Sequence, residues 1–364
     1  MNVDTPMMNV LAFKAAKQLE VQRRPLPAVN ADSVLIRVAA NGVCRTDFHM
    51  WENYGDPTLA EVMPALVAKT DVMGHEMAGT VEEVGANVTR FRPGDRVVVP
   101  TTVGDGTCSL CKAGHSHLCD SLSVPGHTYQ GGYAEYVAFP AADRNLVHLP
   151  DEVGFLDASA LGCRFVTAFH GVIDQAKVSA GEYVAVYGCG GVGLSSVNVA
   201  AAAGAEVIGI DINDRNLALA REMGATHTIN SRVSNPIEAV REITSGGAHV
   251  SIDALGLAEK CIASTRSVRK RGRHLQLGVP SVAERGSVLL PVEEMLNREV
   301  LFVSGFGMPV HRFDALLPMI ARGQLTPGKM ITRELSIWDV QNVLASMETF
   351  ASENAGAAVV TRFA

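Results

Sequence analysis

The sequence predicts an α/β protein built from two domains, one β-rich and barrel-like and the other based on a parallel, doubly wound sheet. From about Met8 to Phe139, short β-branched runs alternate with Gly, Pro and Asp turns, which is typical of a β-rich domain. From about Phe165 onward, apolar strand-like runs alternate with helical stretches, and this alternation indicates a parallel sheet. A chain of 364 residues is too long for one ordinary hydrophobic core, so two domains are expected.

The individual elements follow from the same patterns. In the β-rich part the predicted strands are Val34–Ala40, Gly79–Val84, Arg96–Pro100 and Tyr133–Ala138. In the second part the predicted strands are Tyr183–Tyr187, Glu206–Asp211, Val250–Ala254, His274–Gly278 and Val300–Ser304, and the predicted helices are Leu194–Ala203 and Arg215–Met223. After Gly305 the predicted elements are helices at Phe313–Arg322 and Trp338–Phe350 and a final strand at Ala357–Thr361. Residues 1–7 are expected to form a loose extension.

The composition argues against several kinds of partner. The net charge of −7 leaves no basic stripe to neutralise phosphates, so no nucleic-acid partner is expected. The one basic run, Arg266–Arg273, is interpreted as a solvated helix end followed by a turn. We find no secretion signal and no apolar stretch long enough for a membrane helix. Seven cysteines, an odd number with several at metal-ligand spacing, indicate a reduced, cytoplasmic protein.

A glycine-rich turn is the first candidate site. The run G-C-G-G-V-G follows an apolar strand and opens a helix, which is the context of dinucleotide-binding turns. The first glycine makes the tight turn, the second lets the backbone approach a pyrophosphate, and the third allows close helix–strand packing. The helix N-terminus then offers amide donors to the phosphates. The candidate cofactor-binding residues of this turn are Gly188, Gly190, Gly191, Val192 and Gly193.

An acidic residue at the end of the next strand bears on the choice of cofactor. Asp211 lies eighteen residues after Gly193, where a carboxylate accepts hydrogen bonds from ribose hydroxyls. A 2′-phosphate would lie against that carboxylate, and two like charges in contact disfavour binding. Arg215, four residues further on, is a group that would favour NADP. We predict NAD as the cofactor.

Three stretches far apart in the chain each contain a residue type that a catalytic zinc requires. They are Cys44 in G-V-C-R-T-D-F-H, His75 in G-H-E-M-A-G and Cys163 in A-L-G-C-R-F. A catalytic zinc keeps about three protein ligands and leaves one position open. Glu76, beside the histidine, is a possible fourth or exchanging ligand.

These motifs occur in order with G-T-V-E-E-V-G, P-G-D-R-V and G-G-Y-A-E-Y, and together they resemble a zinc-dependent alcohol dehydrogenase of the medium-chain dehydrogenase/reductase family. The resemblance covers nearly the whole chain. It implies a GroES-like catalytic domain at 1–164 and 305–364, with the tail folding back onto the first part, and a Rossmann NAD-binding domain at 165–304. It also implies a homodimer or homotetramer that acts on a small-molecule alcohol or carbonyl substrate, with zinc as Lewis acid.

The resemblance assigns roles to further residues. Thr46 and His49 match the proton relay from the alcohol to water, and Asp47 matches the carboxylate that orients the metal-binding His75. Arg45 matches a cation that reaches the cofactor pyrophosphate, and Thr167 matches a contact on the nicotinamide side. The family often supplies a second arginine near the C-terminus, at a position where this chain has Ala357.

A second metal site is implied with one departure from the family pattern. The segment C-S-L-C and a later cysteine supply three thiolates, and an aspartate stands where the family has a fourth cysteine. A carboxylate can complete a tetrahedral zinc site, so two zinc ions per chain are expected. A lobe without metal is the alternative, and His115 and His117 are reserve ligands. The predicted structural ligands are Asp105, Cys108, Cys111 and Cys119.

The substrate is left open by the sequence. The segment from residue 50 to 73 is about ten residues longer than the family usually carries there, and it includes Trp51 and Tyr54. These two aromatic residues either line an apolar pocket or cap the loop. The leading hypothesis is an NAD-dependent oxidation of a primary or secondary alcohol. The alternatives are a polyol dehydrogenase, a ketone or enone reductase of the same family, or a non-catalytic cofactor-binding module.

Overall fold

The N-terminal segment forms a β-hairpin. A computed structural model of the protein describes residues 6–62, 67–280, 285–348 and 355–364. Strand β1 (Met7–Ala15) pairs antiparallel with β2 (Gln18–Pro25), with Met8 opposite Arg24. The loose extension predicted at residues 1–7 therefore ends in a strand at residue 7, and residues 1–5 lie outside the described part.

The remaining elements largely follow the predicted order. The further strands are β3 (Val34–Val43), β4 (Met77–Val84), β5 (Arg96–Val98), β6 (Tyr136–Phe139), β7 (Val147–His148), β8 (Tyr183–Tyr187), β9 (Glu206–Asp211), β10 (His227–Asn230), β11 (Ala248–Asp253), β12 (Val268–Gln276), β13 (Leu301–Ser304), β14 (Ile331–Ser336) and β15 (Ala357–Arg362). The α-helices are α1 (Arg45–Glu52), α2 (Pro57–Val62), α3 (Ser109–Lys112), α4 (Ala142–Asn145), α5 (Phe155–Ser159), α6 (Val166–Phe169), α7 (Gly191–Ala202), α8 (Asp214–Glu222), α9 (Pro236–Ile243), α10 (Ala258–Ser267), α11 (Val292–Leu296), α12 (Phe313–Ala321) and α13 (Val340–Ser346). Segments Leu161–Phe165 and His170–Gln175 are π-helical, and Ser116–Leu118, Val310–Arg312, Pro327–Met330 and Ile337–Asp339 are 3₁₀-helical.

The second part of the chain contains the predicted parallel sheet. Its strand order is β10-β9-β8-β11-β12-β13, and every neighbouring pair is parallel. Strands β8 and β9 have the predicted bounds, because both are apolar runs that end at turn residues. The doubly wound class predicted from the strand–helix alternation is confirmed, and the glycine turn lies at the carboxyl end of β8.

The C-terminal tail joins the sheet of the first part. This seven-stranded sheet has the order β14-β15-β3-β4-β5-β7, and β6 also pairs with β3. Strand β15 runs antiparallel to β3, with Ala358 opposite Val43. This is the pairing that the resemblance implies for the tail, while the exact domain boundaries stay a prediction.

A continuous apolar core holds the cofactor helix against the segment that carries Cys163. Phe165 and Phe169 are buried in the same cluster as Leu194 and Val197 of α7. Fully burying a large apolar side chain contributes about 1.5–3 kcal/mol, so this packing fixes the distance between the two candidate sites. In the described ranges, no helix is both long and apolar enough to cross a membrane.

Two local predictions are wrong. No turn follows the helix in the basic run Arg266–Arg273, because α10 ends at Ser267 and β12 begins directly at Val268. Val268 is buried and pairs with Ala248, so sheet pairing decides the backbone while the neighbouring basic side chains stay exposed. The helix predicted at Trp338–Phe350 is a 3₁₀ turn followed by the shorter α13, and residues 349 and 350 lie outside the described part.

Candidate active site

The fold brings the four predicted catalytic-metal residues together. The candidate ligand atoms of Cys44, His75, Glu76 and Cys163 all lie within 4.8 Å of one another. Cys44 is the N-cap of α1, the histidine and glutamate lie in the loop before β4, and Cys163 lies in a π-helical turn. π-Helical turns are rare in proteins overall, and those that occur often lie at functional sites.

The carboxylate of Asp47 organises this cluster. Its Oδ2 accepts the backbone N–H of Cys44 at 2.9 Å and the hydroxyl of Tyr133 at 2.9 Å. Its Oδ1 lies 3.1 Å from Nδ1 of His75. Both Asp47 and His75 are almost completely buried. The contact with Nδ1 leaves Nε2 as the ring atom for a metal, and it matches the orienting role implied for Asp47.

The donor set fits a zinc ion. Nε2 of His75 is buried and has no hydrogen-bond partner among the described residues, which is costly unless a ligand satisfies it. The pKa of Cys44 lies well below its usual range, chiefly because the thiol of Cys163 donates a hydrogen bond to its sulfur. Two sulfurs and one imidazole nitrogen are the ligand types that zinc prefers.

Glu76 is in the cluster, but its carboxylate is engaged by Arg164. Oε1 accepts the backbone N–H of Arg164 at 3.2 Å and its Nε–H at 3.0 Å, and Oε2 accepts Nη2–H. Burial raises the pKa of Glu76 to about 7, and the guanidinium opposes that rise. The role of Glu76 as a metal ligand therefore stays a prediction that competes with a buried ion pair.

Helix α1 carries the predicted relay residues on one face. Thr46 and His49 are three residues apart, a spacing that places side chains next to each other on a helix. Burial, and secondarily the charge of Arg45, lowers the pKa of His49 to about 4. Arg45 itself donates from Nη1 to the carbonyl of Met347, and its guanidinium lies 4.3 Å from the ring centre of Phe48.

The glycine turn has the geometry that its sequence predicts. Gly188 has a φ of +90°, and a Cβ on Gly193 would overlap the carbonyl oxygen of Gly188. A Cβ on Gly190, by contrast, would meet open space, so the backbone at the start of α7 is accessible to a ligand. Gly191 and Val192 form the first turn of that helix.

Asp211 lies beside this turn. Its carboxylate accepts the backbone N–H of Cys189 at 2.7 Å and that of Asn213 at 2.8 Å, which fixes its position at the end of β9. Arg215 is exposed in the first turn of α8, and Thr167 is half-buried in α6. The structure thus places the carboxylate of Asp211 in direct hydrogen-bond contact with the backbone of the glycine turn.

Comparisons with known proteins agree with this geometry. Residues 30–151 match the alcohol dehydrogenase GroES-like domain family, and residues 191–322 match the zinc-binding dehydrogenase family. An NAD-dependent alcohol dehydrogenase of Sulfurisphaera tokodaii is 30% identical over 339 residues, covering 92% of this chain and 94% of that protein. The chain belongs to the zinc-type alcohol dehydrogenases of the medium-chain dehydrogenase/reductase family. It is therefore an oxidoreductase with the predicted GroES-like and Rossmann parts.

Other members of the family differ in substrate and cofactor. An L-threonine 3-dehydrogenase of Bacillus velezensis is 34% identical over 285 residues, covering 76% of each chain. A zinc-binding dehydrogenase of Sinorhizobium meliloti 1021, solved with NADP bound, has a TM-score of 0.86 and 27% identity and covers 98% of this chain and 99% of that one. Family membership therefore leaves the alcohol and the choice between NAD and NADP open.

The second predicted metal site of this dehydrogenase is also assembled. The candidate ligand atoms of the lobe's four residues, Asp105, Cys108, Cys111 and Cys119, lie within 4.8 Å of one another. Oδ1 of Asp105 is 3.3 Å from the sulfur of Cys119 and 3.9 Å from that of Cys111. Hydrogen bonds from Thr107 lower the pKa of Asp105 to about 2, so the carboxylate is ionised as a ligand requires. Carboxylate oxygen and thiolates fit a tetrahedral zinc site.

The reserve ligands of this lobe lie elsewhere. His115 and His117 are outside the donor group, and the ring of His117 instead packs against that of His170, with centroids 5.0 Å apart. Both histidines are close to Cys119 in sequence, but the 3₁₀ turn Ser116–Leu118 lies between His115 and Cys119, and neither histidine joins the donor group.

Both aromatic residues of the long segment pack against other side chains of the first part of the chain. Trp51 is 3% exposed and packs in the core of the first part. Tyr54 stacks on Phe13, with ring centroids 3.8 Å apart. Within the same segment, residues 63–66 lie outside the described part.

Two residues of the site were missed from the sequence. The hydroxyl of Tyr133 donates a hydrogen bond to Asp47, and Arg164 forms an ion pair with Glu76. The sequence motifs assign neither residue as a metal ligand or a cofactor contact. One signal was available for Arg164, a single charged residue in the apolar run around Cys163, because a buried charge requires a partner.

Asp105 offers a test of the second zinc. Replacing it with Ala should reduce the zinc content from about two to about one per chain, because three thiolates alone hold the ion less well. The melting temperature should fall while activity at low temperature is largely kept. Replacing it with Cys should retain both metals. Metal analysis and thermal unfolding check this expectation, and one zinc per chain in the unmodified protein would favour a metal-free lobe.

Proposed function

We propose that the protein is an NAD-dependent zinc alcohol dehydrogenase that interconverts a primary or secondary alcohol and the matching aldehyde or ketone. One observation carries the proposal, the assembly of Cys44, His75 and Cys163 next to a glycine turn that is open to a dinucleotide. When bound, zinc would supply Lewis acidity and NAD would accept a hydride. The chain's own residues hold these groups and move the hydroxyl proton.

The proton path uses the neutral imidazole of His49. Because the pKa of His49 is lowered to about 4, the ring is unprotonated near neutral pH and is ready to accept a proton. Thr46 lies one helical turn before it and would pass the hydroxyl proton of the alcohol toward His49. Tyr133 does not release its proton in this scheme, because burial raises the pKa of its hydroxyl, which donates to Asp47.

NAD is preferred over NADP in this proposal. The carboxylate of Asp211 is held beside the turn by two backbone N–H groups, so it cannot swing away from a 2′-phosphate without losing both. The phosphate would then lie against a fixed negative charge. Arg215 supports the opposite preference, as does the NADP-bound relative, and the experiment on Asp211 below separates the two cofactors.

A panel of substrates tests the proposed activity. Primary alcohols, secondary alcohols, polyols and L-threonine are supplied with NAD or NADP, and reduced cofactor is measured. We expect the highest kcat/KM with a primary or secondary alcohol and NAD, and we expect Cys163→Ser to abolish turnover because it unbalances the metal ligands. Turnover confined to polyols or L-threonine would replace the proposed substrate class, and full activity in Cys163→Ser would reject the zinc role.

The cofactor preference follows from Asp211. Asp211→Gly should raise the ratio of kcat/KM for NADP to that for NAD by about tenfold or more, because it removes the repulsion of like charges. Asp214→Asn, a change of a neighbouring exposed acid on α8, is the matched control and should leave the ratio unchanged. An unmodified enzyme that already prefers NADP contradicts the proposal.

His49→Gln tests the relay. Alcohol oxidation should slow on the order of 10²-fold, while NADH affinity stays nearly the same, because the ring moves a proton and does not touch the nicotinamide. With a pKa of about 4, the imidazole is already neutral above that pH, so the loss should be uniform between about pH 5 and 8. Added small-molecule base should partly restore the rate. pH–rate profiles that superimpose without such rescue would remove His49 from the mechanism.

We also propose that the protein assembles through the edge strand β13. Among the described strands β13 lies at the edge of its sheet, and there Leu301 is 58% exposed and Phe302 is 38% exposed, which is uncommon for large apolar groups at a sheet edge. A second copy, placed edge to edge, would cover them as a homodimer that two-fold symmetry can extend to a tetramer. Light scattering should give a smaller mass for Phe302→Asp, whereas Val233→Asp, on an exposed position away from β13, should not change the mass.

A further inference from the structure

The guanidinium group of Arg164 makes hydrogen bonds through two of its three nitrogens, Nε and Nη2. Its side chain is 5% exposed. Nε donates to Oε1 of Glu76 at 3.0 Å, and Nη2 donates both to Oε2 of Glu76 and, at 2.8 Å, to the carbonyl of Val43. One edge of the group is thus fixed on the metal-site loop and on β3.

The remaining nitrogen faces the cofactor turn. Nη1 of Arg164 makes no hydrogen bond or ion pair within the described part of the chain. A Cβ built on Gly191 would lie 3.2 Å from Nη1 and 3.0 Å from Cδ of Arg164. The guanidinium therefore packs directly on the first residue of α7. Because Gly191 has no side chain, Nη1 can approach the backbone at the N-terminus of α7 closely.

A buried cation at this place is suited to an anion. The N-terminus of the twelve-residue α7 presents unpaired N–H groups and the positive end of the helix dipole. Arginine binds phosphate oxygens through directed N–H groups, and such charge-assisted bonds are stronger where water is excluded. We propose that Arg164 binds a pyrophosphate oxygen of the dinucleotide through Nη1 while it holds Glu76 with Nε and Nη2. This inference rests on the proposed dinucleotide cofactor.

The position of Arg164 compensates for a residue that the chain lacks. Ala357 stands where the resemblance implies a second pyrophosphate-binding arginine. The next residue, Ala358, pairs with Val43, whose carbonyl accepts Nη2 of Arg164. The guanidinium of Arg164 thus lies beside the strand from which that arginine is missing. Arg45, the other predicted cation, bonds to Met347.

Arg164 also lies between the candidate metal site and the glycine turn. One guanidinium contacts the carboxylate next to His75 and the turn that would hold the cofactor phosphates. If Arg164 served only to neutralise Glu76, removing both charges together would leave cofactor binding unchanged. If it binds the pyrophosphate, that double change would weaken any ligand that carries the pyrophosphate.

The test compares Glu76→Gln with Glu76→Gln/Arg164→Gln, because removing Arg164 alone would leave a buried unpaired carboxylate. Calorimetry measures ADP-ribose, which carries the pyrophosphate, and adenosine, which does not. We expect ADP-ribose to bind about tenfold or more weakly to the double variant and adenosine to bind equally to both. The matched control is Asp174→Asn against Asp174→Asn/Arg312→Gln, a second arginine–carboxylate pair, with Nη2 at 2.8 Å from the carboxylate and no contact with the turn. This control pair should show equal affinities.

Equal ADP-ribose affinity in the two Glu76 variants would overturn the role of Arg164, as would an equal loss of adenosine affinity, which marks a structural defect. If the unmodified protein fails to bind ADP-ribose, the dinucleotide cofactor itself is rejected. A crystal structure of the unmodified protein with ADP-ribose needs no variant. Nη1 should then lie within about 3.2 Å of a pyrophosphate oxygen, and a pyrophosphate out of hydrogen-bond reach would contradict the inference.

Discussion

The buried carboxylate of Asp47 is the group on which the metal-site geometry depends. It accepts the backbone N–H of Cys44, which fixes the start of α1 and the direction of the first thiolate. It also contacts Nδ1 of His75, which orients the ring, and it is held in turn by Tyr133. A buried carboxylate without these partners would be strongly destabilising, so the three segments that carry Asp47, His75 and Tyr133 must come together for the site to form.

A second buried charge pair connects that site to the cofactor turn. Breaking such a pair by removing one partner costs about 3–5 kcal/mol, so Glu76 and Arg164 constrain each other strongly. The ion pair holds the carboxylate beside the metal ligands, and the arginine packs on Gly191 at the start of α7. The candidate zinc site and the candidate dinucleotide site are therefore joined by side chains as well as by the shared apolar core.

The sequence predicted the parts of this account that are local. Apolar runs and turn residues predicted β8 and β9 with their bounds, and the motifs around Cys44, His75 and Cys163 predicted side chains that the fold brings within 4.8 Å of one another. Distant partners that lie outside these motifs were not predictable. Tyr133 lies 86 residues from Asp47, and the strand start at Val268 depends on pairing with Ala248. The stacking of Tyr54 on Phe13 likewise depends on a contact that no periodicity encodes.

The most direct test of the account is the position of zinc in crystals of the unmodified protein, located by anomalous scattering at the zinc edge. We expect one zinc at about 2.3 Å from the sulfurs of Cys44 and Cys163 and at about 2.0–2.1 Å from Nε2 of His75, with Nδ1 of His75 still in contact with Asp47. A zinc bound through Nδ1, or anomalous density confined to the lobe of Asp105, would contradict it.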